Sequence, residues 1–468
     1  MSKILDHGRD MTTGPLTRHL LVVAWPVSVS WLMQTLYNLV DAFWLGKLGK
    51  EALVAPTITM HLEFFGIAVA MGLGQACTSL ISQYKGAGRP ERMGLAAGQS
   101  VLVHLIAGTI IAGVCLMLAQ PLLRLLHTPA DAFAGSLTYL RWIMAGLPLL
   151  FIVQVYQGIY NGLGDTRGPM RIIIISVLVN LLLDPLLIFG WGPLPAMGVG
   201  GAAAATVISR GLAAVLATRA IFGGPGLRVH RTELKWNRRM MNRLIKVALP
   251  LSAGQAATSL GFTLLLGMVN SFGSAVVAAF GVGHRVIMMV SVPSMALGQA
   301  NATAVGQNLG AGQPERAAQA VRRSAILVTA FLLPLTTLTF FFGGDITHWF
   351  IADPEVIAHG RDLFRITSFS VFVFSLIWVM FSAFSGSGHT VPIMVVNVGR
   401  LWVVRIPATW LLTQVLSIGT VGLWWAMNLS NVAAAVVAFI WFLKGTWKRA
   451  VIDDEDLDEA LPSPIPEP

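Results

Sequence analysis

Charge is scarce in this chain. Only 12% of its 468 residues are Asp, Glu, Lys or Arg, against 55% that are hydrophobic. Soluble domains carry about 25% charged residues. The deficit leaves too little polar surface for a water-soluble fold of this length. Cysteine is nearly missing: Cys77 and Cys115 both lie in apolar runs, which excludes a disulfide framework and a thiolate metal centre. No GxxxxGK stretch occurs, and the glycine-rich Gly223-Gly224-Pro225-Gly226 follows no strand pattern, so no nucleotide-driven motor is encoded. Residues 1–18 are polar and the first apolar run is too long for a signal h-region, so the N-terminus is expected to be retained. From Asp453 the chain turns acidic and then Pro-rich, a composition that does not fold by itself.

What is present is apolar length. A membrane helix needs about 20 apolar residues, and twelve runs qualify: 17–45, 53–83, 94–119, 136–162, 168–190, 198–221, 244–272, 279–309, 319–344, 362–385, 391–416 and 420–444. The net charge of +10 reads first as a nucleic-acid footprint, but its placement excludes that partner. With the N-terminus cytoplasmic, the inner loops and tails hold 21 Lys and Arg and the outer loops hold 6. Arg210, Arg219, Arg285, Arg400 and Arg405 fall within or at the ends of spans. This bias places both termini in the cytoplasm of a multi-pass plasma (inner) membrane protein.

The chain contains itself twice. Residues 73–92, LGQACTSLISQYKGAGRPER, match residues 297–316, LGQANATAVGQNLGAGQPER, at eleven of twenty positions with an offset of 224. The same offset carries Pro26 onto Pro250, and Gly162, Gly164 and Thr166 onto Gly386, Gly388 and Thr390. The register then slips by two, so that Val199-Gly200 meets Val421-Gly422. An even number of spans per copy gives both the same orientation. The expected fold is an all-α integral membrane protein: twelve transmembrane helices in two six-helix lobes, related by a pseudo-two-fold along the membrane normal. The expected units are an N-terminal lobe (1–222), a basic cytoplasmic linker (223–243), a C-terminal lobe (244–447) and a cytoplasmic tail (448–468).

Two acids stand out within the apolar runs. A carboxylate at bilayer depth costs about 2.5–3.5 kcal/mol on insertion scales, so it is rarely kept without a role. Asp41 ends the stripe Gln34, Tyr37, Asn38, Asp41, whose spacing puts all four on one helical face. Asp184 follows Asn180 by four residues and precedes Pro185, which frees a backbone carbonyl. Thr206 on the next span adds a hydroxyl. If the two acids are close they cannot both ionise cheaply and they titrate as a unit. Glu63, flanked by His61, is either a relay member or a residue near the outer water. Arg285, the repeat mate of His61, either pairs with a carboxylate across the lobes or orients a substrate, and an ion pair is the simpler reading. Spans 7, 8, 11 and 12 lack acids altogether, which confines an ion site to the N-terminal half. The opposing wall is expected to include Phe262, Met268, Met288, Met289, Met295 and Trp378, side chains that suit a permissive pocket.

These residues resemble the multidrug and toxic compound extrusion (MATE) family over residues 15–447. The resemblance rests on Pro26 with Gln34-Thr35-Leu36-Tyr37-Asn38-Leu39-Val40-Asp41, Leu45-Gly46-Lys47-Leu48-Gly49, Gly86-Ala87-Gly88, Asn161-Gly162-Leu163-Gly164-Asp165 and Asn180-Leu181-Leu182-Leu183-Asp184-Pro185. The chain is similar to the DinF-type branch, which uses a polar cluster in the N-terminal lobe. That resemblance implies a cation or proton site at Asp41, Asn180, Asp184 and Thr206. It also implies a substrate cavity lined by Gln34, Tyr37, Tyr139 and Gln157, with Gln154 and Gln157 in place of shorter amides and a helix bend at Pro26; Asn38 of the stripe and Met288 of the opposing wall complete the expected lining. The implied function is antiport: no enzyme activity, no cofactor beyond the coupling ion (a proton for preference, otherwise Na⁺ on the same residues), and export of amphipathic, often cationic compounds by a monomer in the lipid bilayer. A flippase for a lipid-linked precursor is the alternative within the superfamily. A scaffold would not need the titratable pair, and a channel usually needs a symmetric pore, whereas this ion site is asymmetric between the lobes.

Overall fold

The computed structural model describes residues 8–126, 128–190, 195–224 and 227–452, apart from the side chains of Lys50, Glu51 and His61. The acidic tail, and the accessory role expected of His61, lie outside the described residues. No strand occurs among them. The N-terminal lobe is built from α1 (Leu16–Gly46), α2 (Val54–Gly86), α3 (Pro90–Met117), a short α4 (Ala119–Leu125), α5 (Ala130–Ala145), α6 (Leu147–Leu163), α7 (Arg167–Phe189) and α8 (Val199–Gly223). The C-terminal lobe follows as α9 (Arg238–Asn270), α10 (Ser274–Gly310), α11 (Pro314–Phe350), α12 (Pro354–Ser387), α13 (Val391–Val415) and α14 (Thr420–Leu443).

The spans arise where the apolar runs predict them, with punctuation set by proline and glycine. Proline opens α3, α11 and α12 at the first helical positions, where its missing N–H has no partner to lose. Gly164 and Gly388 close α6 and α12 in left-handed conformation, φ 77° and 83°. One expected span is broken. The run 136–162 becomes α5 and α6, bent by 40° at Gly146, where Pro148 cannot donate to the preceding turn. With that bent pair taken as one span there are up to twelve. Several helices exceed 30 residues, longer than the roughly 20 needed to cross.

The repeat is visible atom by atom where α2 meets α10. A Cβ on Gly86 would collide with the Gln307 carbonyl oxygen, and one on its repeat mate Gly310 would collide with the Gln83 carbonyl oxygen. Gln83 Nε2 donates to the Gly386 carbonyl at 2.9 Å, while its mate Gln307 Nε2 donates to the Gly162 carbonyl at 3.3 Å. Each glutamine also accepts from a terminal segment: Gln307 Oε1 from Met11 N at 2.9 Å and Gln83 Oε1 from Val451 N at 3.0 Å. Both amides are fully buried. Small residues at this crossing let two backbones approach to contact, as membrane helix interfaces require.

All these contacts lie at one end of the molecule, where the first and last described segments, near Met11 and Val451, also lie. There the first half of α1 (Leu16, Leu20, Val23, Ala24) packs in one core with Ala296, Leu297 and Ala300 of the other lobe. Further along, Gln34 and Asn38 of α1 and Met288 and Met289 of α10 are exposed. The lobes are joined at the terminal end and part toward the other.

Gly86→Ala and Gly310→Ala should each lower stability by about 1–3 kcal/mol through overpacking. Gly113→Ala, whose added Cβ meets nothing within 4 Å, should be silent. Melting of the purified protein in detergent checks this; equal melting of all three would refute the crossed contact.

Candidate functional site

The acids of the N-terminal lobe converge. Asp184 on α7 is 0% exposed and Asp41 on α1 is 9% exposed. Asn180 and Thr206 are also buried. The i, i+4 spacing on α7 does what it predicts: Asn180 Nδ2 donates to Asp184 Oδ1 at 3.1 Å. The hydroxyls of Tyr37 on α1 and Thr206 on α8 share a hydrogen bond of 2.7 Å, closing the space between the two helices. Asp41 and Asp184 lie within electrostatic range of one another, and Tyr139 on α5 lies within range of Asp41 and Tyr37. Four helices thus supply one cluster.

Two oxygens in it are unclaimed. Asp41 Oδ1 and Asp184 Oδ2 are buried with no hydrogen-bond partner among the described residues. A buried carboxylate oxygen without a donor costs free energy unless a proton or cation meets it. The Asn180 carbonyl oxygen and the Thr206 hydroxyl add uncharged ligands beside the acids. The donor set is all oxygen, which suits a proton or a hard monovalent cation.

Sequence reading missed one member of the cluster. Arg210 lies one helical turn beyond Thr206 on α8, and its Nη2 stands 2.6 Å from Oε1 of Glu63 on α2. The contact is a close ion pair, and Arg210 Nη1 beside it is buried with no hydrogen-bond partner among the described residues. Arg210 also lies within electrostatic range of Asp41, Tyr37 and Tyr139. The available signal was its i+4 spacing from Thr206. The expected ion pair of Arg285 is not formed: Arg285 is exposed on α10 and has no acid within bridging distance among the described residues. The cation that pairs with an acid here belongs to the same lobe, because α2 and α8 both face its interior.

The remaining expected residues divide. Gln34 and Asn38 are exposed although they share the face of Asp41, while the opposite face of α1 presents Leu32, Leu36, Leu39 and Phe43. A polar stripe faces protein or water rather than lipid, so an open space borders the cluster there. Gln154 and Gln157 are half-buried on α6, past the Gly146 bend. On the far wall Met288 and Met289 are exposed at 51% and 60%, on α10 and outside the cluster. Phe262 instead packs in a local core of the C-terminal lobe with Phe280 and His284. Met268, Met295 and Trp378 are half-buried. Pro26 lies inside α1, which stays continuous through it.

The side chains of the pair are 18% and 15% exposed, so removing one partner strands the other at a cost below the roughly 3–5 kcal/mol of a fully buried pair, whereas replacing both by apolar groups is often neutral. Glu63→Gln should therefore melt below Glu63→Gln/Arg210→Met. The reverse order in a melting experiment would show that the pair is not buried together.

Comparison with known proteins agrees with this architecture. The MatE family model matches twice, over residues 26–186 and 250–411, one match in each lobe. The probable multidrug resistance protein YpnP of Bacillus subtilis is 27% identical, over 94% of this chain and 97% of its own. An FAD transporter of Shewanella oneidensis is 26% identical, over 92% and 95%. Among solved structures, an outward-facing multidrug resistance MATE family transporter superposes with TM-score 0.87 at 23% identity, covering 94% of this chain and 98% of that one. Matched in both halves, the chain belongs to the MatE family, and it is a multi-pass membrane transporter rather than an enzyme.

Proposed function

We propose that this chain is a cation-coupled multidrug antiporter of the plasma membrane, with both termini cytoplasmic, that exports amphipathic and often cationic compounds. The observation that carries this reading is the pair of buried, unpartnered carboxylate oxygens on Asp41 and Asp184, in a cluster that borders an open space. Relatives named as multidrug resistance proteins, such as YpnP, support the substrate class.

With the termini inside, the joined end of the lobes is cytoplasmic and the parted end faces out. In that arrangement a cationic compound is held by ionised Asp41 and Asp184. A proton entering from outside neutralises the same oxygens and removes the attraction, so ion and substrate favour opposite states, the condition for antiport. Tyr37 and Thr206 hold α1 against α8 while the acids are charged. Pro26 leaves the Val22 carbonyl without its helical donor, which gives α1 a weak point where it bends as the cavity contracts. Na⁺ on the same oxygens is the alternative coupling ion. Transport of an anionic lipid-linked precursor, the second reading, draws on the basic residues Arg400 and Arg405 of the other lobe rather than on this cluster.

Proteoliposomes carrying imposed pH or Na⁺ gradients and a fluorescent organic cation provide the test. Gradient-driven export should fall at least tenfold in Asp41→Asn, and an Asp41→Asn/Asp184→Asn double variant should be no worse than the worse single, since the acids act as a unit. Undiminished export by Asp41→Asn would sink the coupling role. A response to Na⁺ alone would exchange the proton for sodium.

A further inference from the structure

The C-terminal lobe holds two arginines with no acid to balance them. Arg405 on α13 is 6% exposed. Its Nε donates to the Ser430 hydroxyl at 2.8 Å and its Nη2 to Asn431 Oδ1 at 2.6 Å. Arg400 Nη1 donates to the same Asn431 Oδ1 at 3.2 Å, and its guanidinium stands 4.3 Å from the centre of the Phe374 ring. Asn431 is turned by its own Nδ2, which donates to the Ser370 hydroxyl at 3.3 Å. Every partner of these two cations is neutral, and no carboxylate lies within bridging distance of either among the described residues. Arg400 Nε is buried with no hydrogen-bond partner.

The backbone is shaped to bring the pair together. Gly399–Arg405 is wound as a π-helix. In an α-helix residues five apart diverge by about 140° around the axis, whereas the wider i→i+5 winding brings them closer to one face. The wide turn therefore puts two guanidinium groups on one face against one amide oxygen. Like charges at this range repel, and an arginine does not relieve the strain by losing its proton. Two planar forks converging on one acceptor, with a spare buried donor, form an incomplete cradle for an oxyanion, which guanidinium groups bind bidentately.

The repeat places this cradle. Ser176, on the helix of Asp184, donates to the Ser209 carbonyl at 3.1 Å, next to Arg210. By the two offsets of the duplication, 224 and 222, Ser176 maps onto Arg400 and Ser209 onto Asn431. The arginine pair thus occupies the helix pair equivalent to the one bearing Asn180, Asp184 and Thr206, with its charge inverted. Arg400 is half-buried, which leaves an approach to the site.

We infer that the C-terminal lobe contains an oxyanion-binding site, built on Arg400 and Arg405 and oriented by Asn431, that takes a carboxylate or phosphate group of a soluble molecule or of a lipid headgroup. It stands whether or not Asp41 and Asp184 couple an ion, so a binding measurement, not transport, is its test. The full-length protein, purified in a neutral maltoside free of phosphate and sulfate, is titrated with radiolabelled inorganic phosphate by equilibrium dialysis. Binding of phosphatidylglycerol is measured in parallel by native mass spectrometry, from phosphatidylcholine nanodiscs with and without that lipid. At least one probe should bind saturably, with affinity reduced tenfold or more in Arg405→Gln and in Arg400→Gln, and less so in Arg405→Lys, which keeps the charge without the fork. Phosphate binding displaced by phosphatidylglycerol assigns the site to a headgroup; phosphate binding unaffected by it assigns a soluble anion. Neither probe binding the native protein saturably, or binding undiminished in both glutamine variants, overturns the inference. The native titration decides even if a glutamine variant fails to fold.

Discussion

The crossed pair Gln83 and Gln307 is the contact on which the shape of the molecule depends. Each amide spans the boundary between lobes, donates to a glycine carbonyl on the far side and accepts from a terminal segment. The glycines at 86 and 310 make this possible, since a methyl group at either would push the opposing backbone away. The closure adds these polar contacts to the apolar core that the first half of α1 shares with the other lobe. A hydrogen bond contributes about 0.5–1.5 kcal/mol net, provided both partners find others when it breaks. The closure also explains why the lobes part at the opposite end, where no such contact joins them among the described residues.

The duplication that built this seal symmetrically left the interiors of the lobes unlike. One holds Asp41, Asp184 and Glu63 beside Arg210; the other holds Arg400 and Arg405 among neutral amides and hydroxyls. A charge in a span costs about 2.5–3.5 kcal/mol, so neither set persists as neutral drift. Backbone geometry has stayed two-fold where the lobes touch each other and has diverged at the α-helical turn of α7 and the π-wound turn of α13.

Much of this was legible in the chain. The apolar runs gave the spans, because a bilayer admits little else than helices, and the 224-residue offset gave the lobes. The i, i+4 step from Asn180 to Asp184 became a hydrogen bond because both sit on one regular helix. Contacts between distant segments were not legible. Glu63 and Arg210 come from different spans, and nothing in their local sequence ties them; Arg285 looked the better partner only because it mapped onto His61. The π-winding at Gly399–Arg405 was equally hidden, since five-residue spacing reads as two faces of an α-helix. The bend at Gly146 carried a signal, Gly-Leu-Pro, that the continuous apolar pattern masked.

Helix α1 connects the seal to the acids. Its first half lies in the core of the C-terminal lobe, packed with Ala296 and Ala300, while Asp41 near its far end belongs to the N-terminal cluster. Pro26 separates these halves, and the Thr166 hydroxyl, from the loop before α7, donates to the Val23 carbonyl at 2.8 Å beside it. The repeat copies the device: Thr390 donates to the Val247 carbonyl at 2.7 Å, next to Pro250. In both lobes a threonine at the start of the fifth span, α7 or α13, donates to a carbonyl three residues before a proline. The first helix of each lobe is thus held at the joined end and freed of one backbone bond just above it. In the proposed antiport cycle, a change of charge at Asp41 acts on the free half of α1 while the held half stays with the other lobe. The bend then falls at Pro26, because there the helix has already given up a hydrogen bond and the core below it does not move.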